Sequence, residues 1–268
     1  MRPELFNILG VPFHAYRTLL ALAFLVCTLL AVRESQRRDE GFVLPPQAGA
    51  WGLIGALLGA KLFWALQYAP MREWWRALLL WEGGLVFYGG LIGGVLVLWL
   101  YLRRLHIPFL PAGDIMAPYL ALGEAITRVG CFLNGCCWGA VSGLPWTVSF
   151  PPGCAAYSAH VEEGLIQPGD PHTLPVHPTQ LYMVGGLLIA FLLLKALLAR
   201  KSFRGHVMIG YLFLYGVARF TVEVFRGDSG KPVLGMTVSQ LISFGLVVAA
   251  IVAWVWHRQR AKQMTQDK

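Results

Sequence analysis

Long apolar runs constrain this chain more than any motif in it. Runs of roughly 17–22 residues are long enough to cross about 30 Å of hydrocarbon. They recur at 16–32, 49–69, 84–102, 112–130, 179–199, 207–225 and 236–256. Only 13% of the residues are charged, about half the fraction of a soluble domain, and mean hydropathy is +0.57. The sequence predicts an all-α integral membrane protein of about seven transmembrane helices, a single membrane domain over 1–268 with no separate soluble domain. The first run is followed by Arg33, Arg37 and Arg38 instead of a small-residue cleavage site, so it reads as a span and not as a removable signal peptide.

The net charge of +8 would suit a nucleic-acid partner, but its placement does not. Arg33, Arg37 and Arg38 follow the first run, Arg103 and Arg104 the third, and Arg200, Lys201 and Arg204 the fifth. Arg258, Arg260, Lys262 and Lys268 follow the seventh. These are alternate loops, so one membrane face collects the positive charge, and that face is the cytoplasmic one. The opposite face holds a weaker set, Arg72, Arg76, Arg226 and Lys231, and no Lys or Arg occurs from Val129 to Leu194. The pattern predicts a periplasmic N-terminus and a cytoplasmic C-terminus. It leaves an external segment over 131–178, between the fourth and fifth spans, and no patch for nucleic acid.

That external segment is rich in Pro and Gly ("LPWTVSFPPG", "QPGDPHTLPVHP"). It predicts loops, short helices and one strand at 146–150, and its length points to function. Gly52, Gly55 and Gly59 in the second run, and Gly89, Gly90, Gly93 and Gly94 in the third, recur at helical spacing. Close helix packing is the plain reading; room for a lipid or substrate is the other.

Several polar residues lie where hydrocarbon does not tolerate them. Arg128 ends the fourth run with Glu124 four residues before it, and Arg219 lies inside the sixth run with Glu223 at i+4 and Arg226 at i+7. Each set shares one helix face. A charge at that depth is costly unless it is paired or faces a cavity. An ion pair between helices would account for them. So would a cationic site for an anionic ligand, since a guanidinium forks onto two phosphate oxygens. Tyr16 opens the first run between His14 and Arg17, as an interfacial anchor or as a site residue, and Tyr88 stands in "FYGGLIGG". In "HPTQLY", Pro178 breaks the chain before the fifth run, Thr179 is placed to cap it, and Gln180 enters the membrane at the outer face.

Four of the five cysteines, Cys131, Cys136, Cys137 and Cys154, fall in the external segment. Their spacing lacks the Cys-x2-Cys pairs of a structural zinc site, so no metal is expected. A disulfide from Cys154 to Cys136 or Cys137 suits an oxidising compartment. A catalytic dithiol is a further reading, though no Cys-x-x-Cys is present.

"RVGCFLNGCCWG", followed in order by "HPTQLY" and "ARFTVEVFRGD", resembles the signature blocks of the bacterial phosphatidylglycerol–prolipoprotein diacylglyceryl transferases. "FYGGLIGG" and "HAYRTLL" resemble weaker blocks, and the likeness covers 10 to about 256. It implies a multi-pass protein of the bacterial inner membrane. The implied reaction moves the diacylglyceryl group of phosphatidylglycerol to the lipobox cysteine of a prolipoprotein signal peptide. Membrane lipids are the surroundings and no cofactor is needed. Arg128 and Arg219 fall on the family's essential arginines, and Tyr16, Asn134, Gly139, Glu223 and Arg226 on other functional positions. Arg128, Arg219, Glu223 and Tyr16 are thereby the expected catalytic residues. Arg128, Asn134, Gly139, Tyr88, Gly89, Gly90, Gln180 and Arg226 are the expected substrate contacts. The chain departs from the family pattern at Tyr88 (usually His), Cys131 (commonly Asn), Cys136 (often acidic) and Met183 (commonly Glu), which suits a divergent branch. Tyr88, Tyr16, Glu223 and His177 are all open as the base for the thiol. A lipid-binding paralogue without activity, an anion transporter and a membrane thiol oxidoreductase are the competing functions.

Overall fold

The computed structural model describes residues 4–8, 11–68, 84, 86–228 and 235–266. Arg72, Arg76, Lys231 and Lys268, which enter the charge argument above, lie outside them. The elements run β1 (Glu4–Ile8), β2 (Val11–His14), α1 (Ala15–Arg37), α2 (Gln47–Tyr68), α3 (Phe87–Arg104), α4 (Phe109–Asn134), α5 (Ala155–Glu162), α6 (Thr179–Ala199), α7 (His206–Glu223) and α8 (Val238–Gln266). A helix overlies each of the seven apolar runs. Four of them, α1, α2, α6 and α8, are long and apolar enough to cross a membrane. α4 and α7 carry the buried charges that lower their apolarity, Asp114 and Glu223 among them. The all-α expectation needs one correction: β1 and β2 form an antiparallel hairpin, with Ile8 opposite Val11 and Glu4 opposite His14.

The chain divides into two units, 28–113 and the remainder (1–27 with 114–268). In the first, α2 and α3 meet through their glycines. A Cβ on Gly55 would lie 2.6 Å from Val97 Cβ, and one on Gly93 would lie 2.8 Å from Gly59 Cα. The backbones are therefore in direct contact, as small residues at helical spacing allow in lipid. Gly89 and Gly90 belong to this seam: their added Cβ atoms would meet Phe63 and Ala60 of α2. The helix-packing reading of these glycines is the one the structure displays.

In the second unit α4, α6 and α7 share a core. Ala117, Ala121 and Ala125 of α4 face Met183, Leu187, Ala190, Leu194 and Leu198 of α6, with Val207 and Val222 of α7. The steps of three and four residues put each set on one stripe of its helix. The start of α7 is held by a residue that the sequence reading passed over. Asp114 is fully buried and its carboxylate accepts from the backbone N–H groups of Gly205 (2.8 Å), Val207 (2.9 Å) and Met208 (3.1 Å). A helix start leaves such donors without partners, and Asp114 supplies an anion to the positive end of the helix dipole. Gly205 precedes the helix at φ 90°, a conformation that favours glycine.

The segment 131–178 has a small core of its own, Phe150, Cys154, Ala156, Tyr157 and Val176, with Phe132, Trp138 and Val148 packed on it. It contains the helix α5. The strand expected at 146–150 is reduced to isolated bridges, with Val176 pairing both Val141 and Val148. The prolines at 145, 151 and 152 lack the N–H donors that a longer ladder needs.

Candidate functional site

The site begins where α4 stops. Gly135 has φ 67°; its N–H donates to Phe132 O at 3.2 Å and the Cys136 N–H to Cys131 O at 3.1 Å. These are the two bonds of a Schellman ending. Glycine suits the left-handed turn, and the approach of Cys154 demands it as well, since an added Cβ would lie 2.6 Å from Cys154 Cβ. Cys137 also has positive φ, 60°, which is costly for a residue with a side chain. The turn is held by α6. The amide of Gln180 donates to Cys136 O at 2.7 Å and the hydroxyl of Thr179 to Cys137 O at 2.8 Å. Thr179 therefore does not cap α6, as its position suggested. Pro178 precedes the helix with no side-chain cap.

Gly139 continues the turn into a backbone seam. Its N–H donates to His177 O at 3.0 Å, and Ala140 N–H donates to Phe225 O at 2.8 Å. It pairs with Arg226 in an isolated antiparallel bridge. A Cβ there would fall 2.6 Å from His177 O and 2.7 Å from Phe225 O. Beside the seam His177, Tyr182 and Phe225 form an aromatic cluster with centroids 5.3–6.0 Å apart. The Tyr182 hydroxyl meets His177 Nδ1 at 3.1 Å and accepts from Trp146 Nε1 at 2.8 Å.

This stitching brings three arginines to one cavity. Arg128 of α4, Arg219 of α7 and Arg226 beyond it line the cavity with Cys137, Thr179, Gln180, Met183 and Val222. Each guanidinium has a carboxylate. Arg128 donates to Glu124 at 3.0 Å. Arg219 donates to Glu223 and, at 3.1 Å, to Ser239. Arg226 forks onto both oxygens of Asp228 at 2.8 Å and lies 3.8 Å from Glu223. Burial raises the Asp228 carboxyl above its ordinary value, against the downward pull of Arg226. Two of these pairs, Arg128–Glu124 and Arg219–Glu223, join residues four apart on one helix. They orient the arginines and do not bridge helices, so the interhelical ion-pair reading does not describe them. A guanidinium has five N–H donors, which leaves each arginine capacity toward the cavity. Gln180 lines the same cavity, and its buried Oε1 has no hydrogen-bond partner among the described residues.

Tyr16 joins this group from the start of α1. Gly130 is tight against it, with an added Cβ 3.1 Å from Tyr16 Cα, and its phenol is within electrostatic reach of Arg128, Cys131, Cys136 and Cys137. Asn134 closes α4, with its side chain beside the Cys136 thiol. Tyr88 belongs to the other unit, at the first turn of α3. It is 43% exposed and edge-on to Phe87 at 5.8 Å.

The disulfide left open by the sequence is absent among the described cysteines. All five are free thiols, so the disulfide from Cys154 to Cys136 or Cys137 is not formed; the Cys154 thiol donates instead to Pro151 O at 3.2 Å. The sulfurs of Cys131, Cys136 and Cys137 lie within 4.8 Å of one another. A spacing of Cys-x4-Cys-Cys conceals this because the Schellman turn folds it back. The Cys137 thiol is drawn below its ordinary value, first by hydrogen bonds from Cys131 and Cys136 and further by Arg226 and Arg128. Asp228, Thr237 and Ser239 are site residues that the sequence reading missed. Asp228, two residues after Arg226, was a readable local signal; the other two depend on how α8 returns.

A family model described as prolipoprotein diacylglyceryl transferase matches residues 3–256. A protein of Clostridium tetani (strain Massachusetts / E88) named phosphatidylglycerol–prolipoprotein diacylglyceryl transferase is 32% identical over 259 residues, covering 94% of this chain and 96% of its own length. Proteins of the same name from Gloeobacter violaceus and Ruegeria pomeroyi are 31% and 32% identical. Each covers 97% of this chain, over 95% and 96% of their own lengths.

Proposed function

We propose, for a chain that belongs to the prolipoprotein diacylglyceryl transferase family, that it moves the diacylglyceryl group of phosphatidylglycerol to the lipobox cysteine of a prolipoprotein signal peptide. The observation that carries this reading is the single cavity lined by Arg128, Arg219 and Arg226. It is a site for an anion, and its walls are helices of a multi-pass membrane protein.

The chemistry has three needs. The donor phosphate must be held, its charge stabilised as it leaves, and the peptide thiol ionised. Arg128 and Arg219 hold the phosphodiester through forked N–H donors, and preorganised cations in a site poor in water stabilise the departing phosphate. Gln180 Oε1 accepts from a hydroxyl of the headgroup glycerol, which satisfies an otherwise orphaned buried acceptor. The peptide thiolate attacks the glyceryl carbon bonded to the phosphate oxygen. The S–C bond forms as the C–O bond breaks. Glycerol phosphate departs, and the thiol proton passes to solvent or to that phosphate. A free thiol, with a pKa of about 8.5, is only a few per cent ionised near neutrality. The arginines raise that fraction by Coulomb attraction. Glu223 and Asp228 fix two of the arginines, Gly139 holds the seam against Arg226, and Asn134 and Tyr16 stand beside the neighbouring cysteine thiols.

The charge pattern supports seven crossings with the N-terminus periplasmic and the C-terminus cytoplasmic. The 131–178 segment then lies outside, at the face where signal peptides of exported proteins arrive. Purified protein incubated with phosphatidylglycerol and a lipobox peptide tests the reaction. The peptide is expected to gain the mass of one diacylglyceryl group, and the gain is expected to vanish with Arg219→Ala. A folded wild-type protein that leaves the peptide unmodified overturns the proposal.

A further inference from the structure

We propose that the thiols of Cys131, Cys136 and Cys137, with the thioether of Met183 on the wall of the adjoining cavity, form a binding site for a soft cation, Cu(I). This site borders the arginine cavity, which Cys137 also lines, and its ligation is a separate chemistry from the transfer reaction. Three sulfurs around one ion at about 2.3 Å stand about 4 Å apart in a planar arrangement. The three sulfurs here already lie within 4.8 Å of one another, so closing on an ion takes only small side-chain movements.

The ligands are preorganised. Cys131 sits in the last turn of α4, and the carbonyls of Cys136 and Cys137 are held by Gln180 and Thr179. A site whose supporting shell is fixed binds without an ordering cost. The donor set points to the ion: three thiolates, with no imidazole or carboxylate in the group, suit Cu(I) over harder cations. Met183 is 2% exposed and shares a cavity wall with Cys137. Charge is also accommodated. Three thiolates and one Cu(I) carry two net negative charges, and Arg128 and Arg226 both act on Cys137 electrostatically. Binding releases the three thiol protons to solvent, and copper enters and stays as Cu(I), so no electron is transferred.

The test uses the full-length protein, reduced and metal-free in detergent, titrated anaerobically with Cu(I) against a chromophoric Cu(I) chelator. One Cu(I) per chain is expected, with only sulfur neighbours in X-ray absorption. Cys131→Ser, Cys136→Ser and Cys137→Ser are each expected to weaken binding more than tenfold, Met183→Leu by a smaller factor, and Cys154→Ser not at all. Circular dichroism identifies any variant that fails to fold, and the remaining variants then carry the comparison. Oxygen or nitrogen neighbours, or affinity indifferent to the folded serine variants, overturn the proposal. So does a reduced protein that binds no Cu(I).

Discussion

Arg219 and Glu223 stand one turn apart on α7, and the guanidinium Nη1 of the first donates to the carboxylate Oε2 of the second. The other oxygen of Glu223 accepts from the Thr237 hydroxyl at 2.9 Å, so the loop before α8 fixes the carboxylate and the carboxylate fixes the arginine. Glu223 is nearly buried, and removing one partner of a buried pair costs about 3–5 kcal/mol. Glu223→Gln is expected to cut diacylglyceryl transfer at least about tenfold, roughly 1.4 kcal/mol of barrier, and to lower the melting temperature. Arg219→Lys is expected to rescue poorly, because a point charge loses the fork. Near-normal transfer in both variants would remove the oriented guanidinium from the mechanism.

Gly139→Ala is expected to fail by crowding. Its new methyl would stand 2.5 Å from His177 Cβ and within 2.7 Å of two backbone oxygens, and backbone in a pinned seam has little room to yield. Overpacking of this kind costs about 1–3 kcal/mol, and here it would displace Arg226 from the cavity. Gly143→Ala, in open space, is the matched control. Thermal melts and transfer rates of the two variants, measured side by side, separate crowding from a general intolerance of substitution in this segment.

Asp114→Ala would strip the three backbone N–H groups at the start of α7 of their acceptor. Loss of a helix-start cap costs about 0.5–2 kcal/mol, and orphaning buried donors adds to it. A clear fall in melting temperature is expected in detergent, with a smaller fall for Asp114→Asn, whose amide oxygen still accepts. An unshifted melt for Asp114→Ala would mean that water replaces the carboxylate at this helix start.

Each of the seven apolar runs coincides with a long helix among the described residues, because a hydrocarbon-length apolar run is a local property of the chain. The positions of Arg128, Arg219 and Glu223 were legible for a related reason: a charge inside an apolar run is conspicuous. Asp114 was equally conspicuous by that rule and was passed over, since its partners are backbone groups about ninety residues away. The thiol group was hidden by spacing. Cys131 and Cys136 come together only because Gly135 turns the chain, and a turn's hand is not written in the interval between cysteines. Gly89 and Gly90 were ambiguous between packing and substrate, and their packing became visible only in the α2 seam.

His160 gives a pH dependence to the 131–178 segment. It is 2% exposed with Nδ1 unpartnered, and burial pushes its pKa down, with Glu163 pulling slightly the other way. The unfolded chain takes up a proton near pH 6.5, while the folded chain resists it. Stability is therefore full above that pH and falls as the pH drops through it. Melting temperature is expected to decline from pH 7 to pH 5, and His160→Phe should flatten that part of the profile. An unchanged slope in a folded His160→Phe protein would assign the acid sensitivity to another group.

Tyr88 stands where the resemblance to the family implies a histidine. If a ring nitrogen at this position were the obligatory base, the wild-type protein would be inactive. A phenol is a poor substitute, since it lacks the ring nitrogen lone pair that accepts a proton in such a base. The arginine cavity offers another route: the same cations that hold the donor phosphate favour the peptide thiolate, and the departing phosphate is able to take the proton. On that account Tyr88 positions lipid with its half-exposed ring, which lies edge-on to Phe87. Wild type is expected to be active and Tyr88→Phe to retain transfer within about threefold, under 1 kcal/mol of barrier. Tyr88→Ala should lose more by losing the ring. Transfer rates for these variants and Tyr88→His, taken across several pH values, decide the matter. A folded but inactive Tyr88→Phe would make the hydroxyl a participant in the chemistry, and an inactive wild type revived by Tyr88→His would show that the arginines alone do not ionise the thiol.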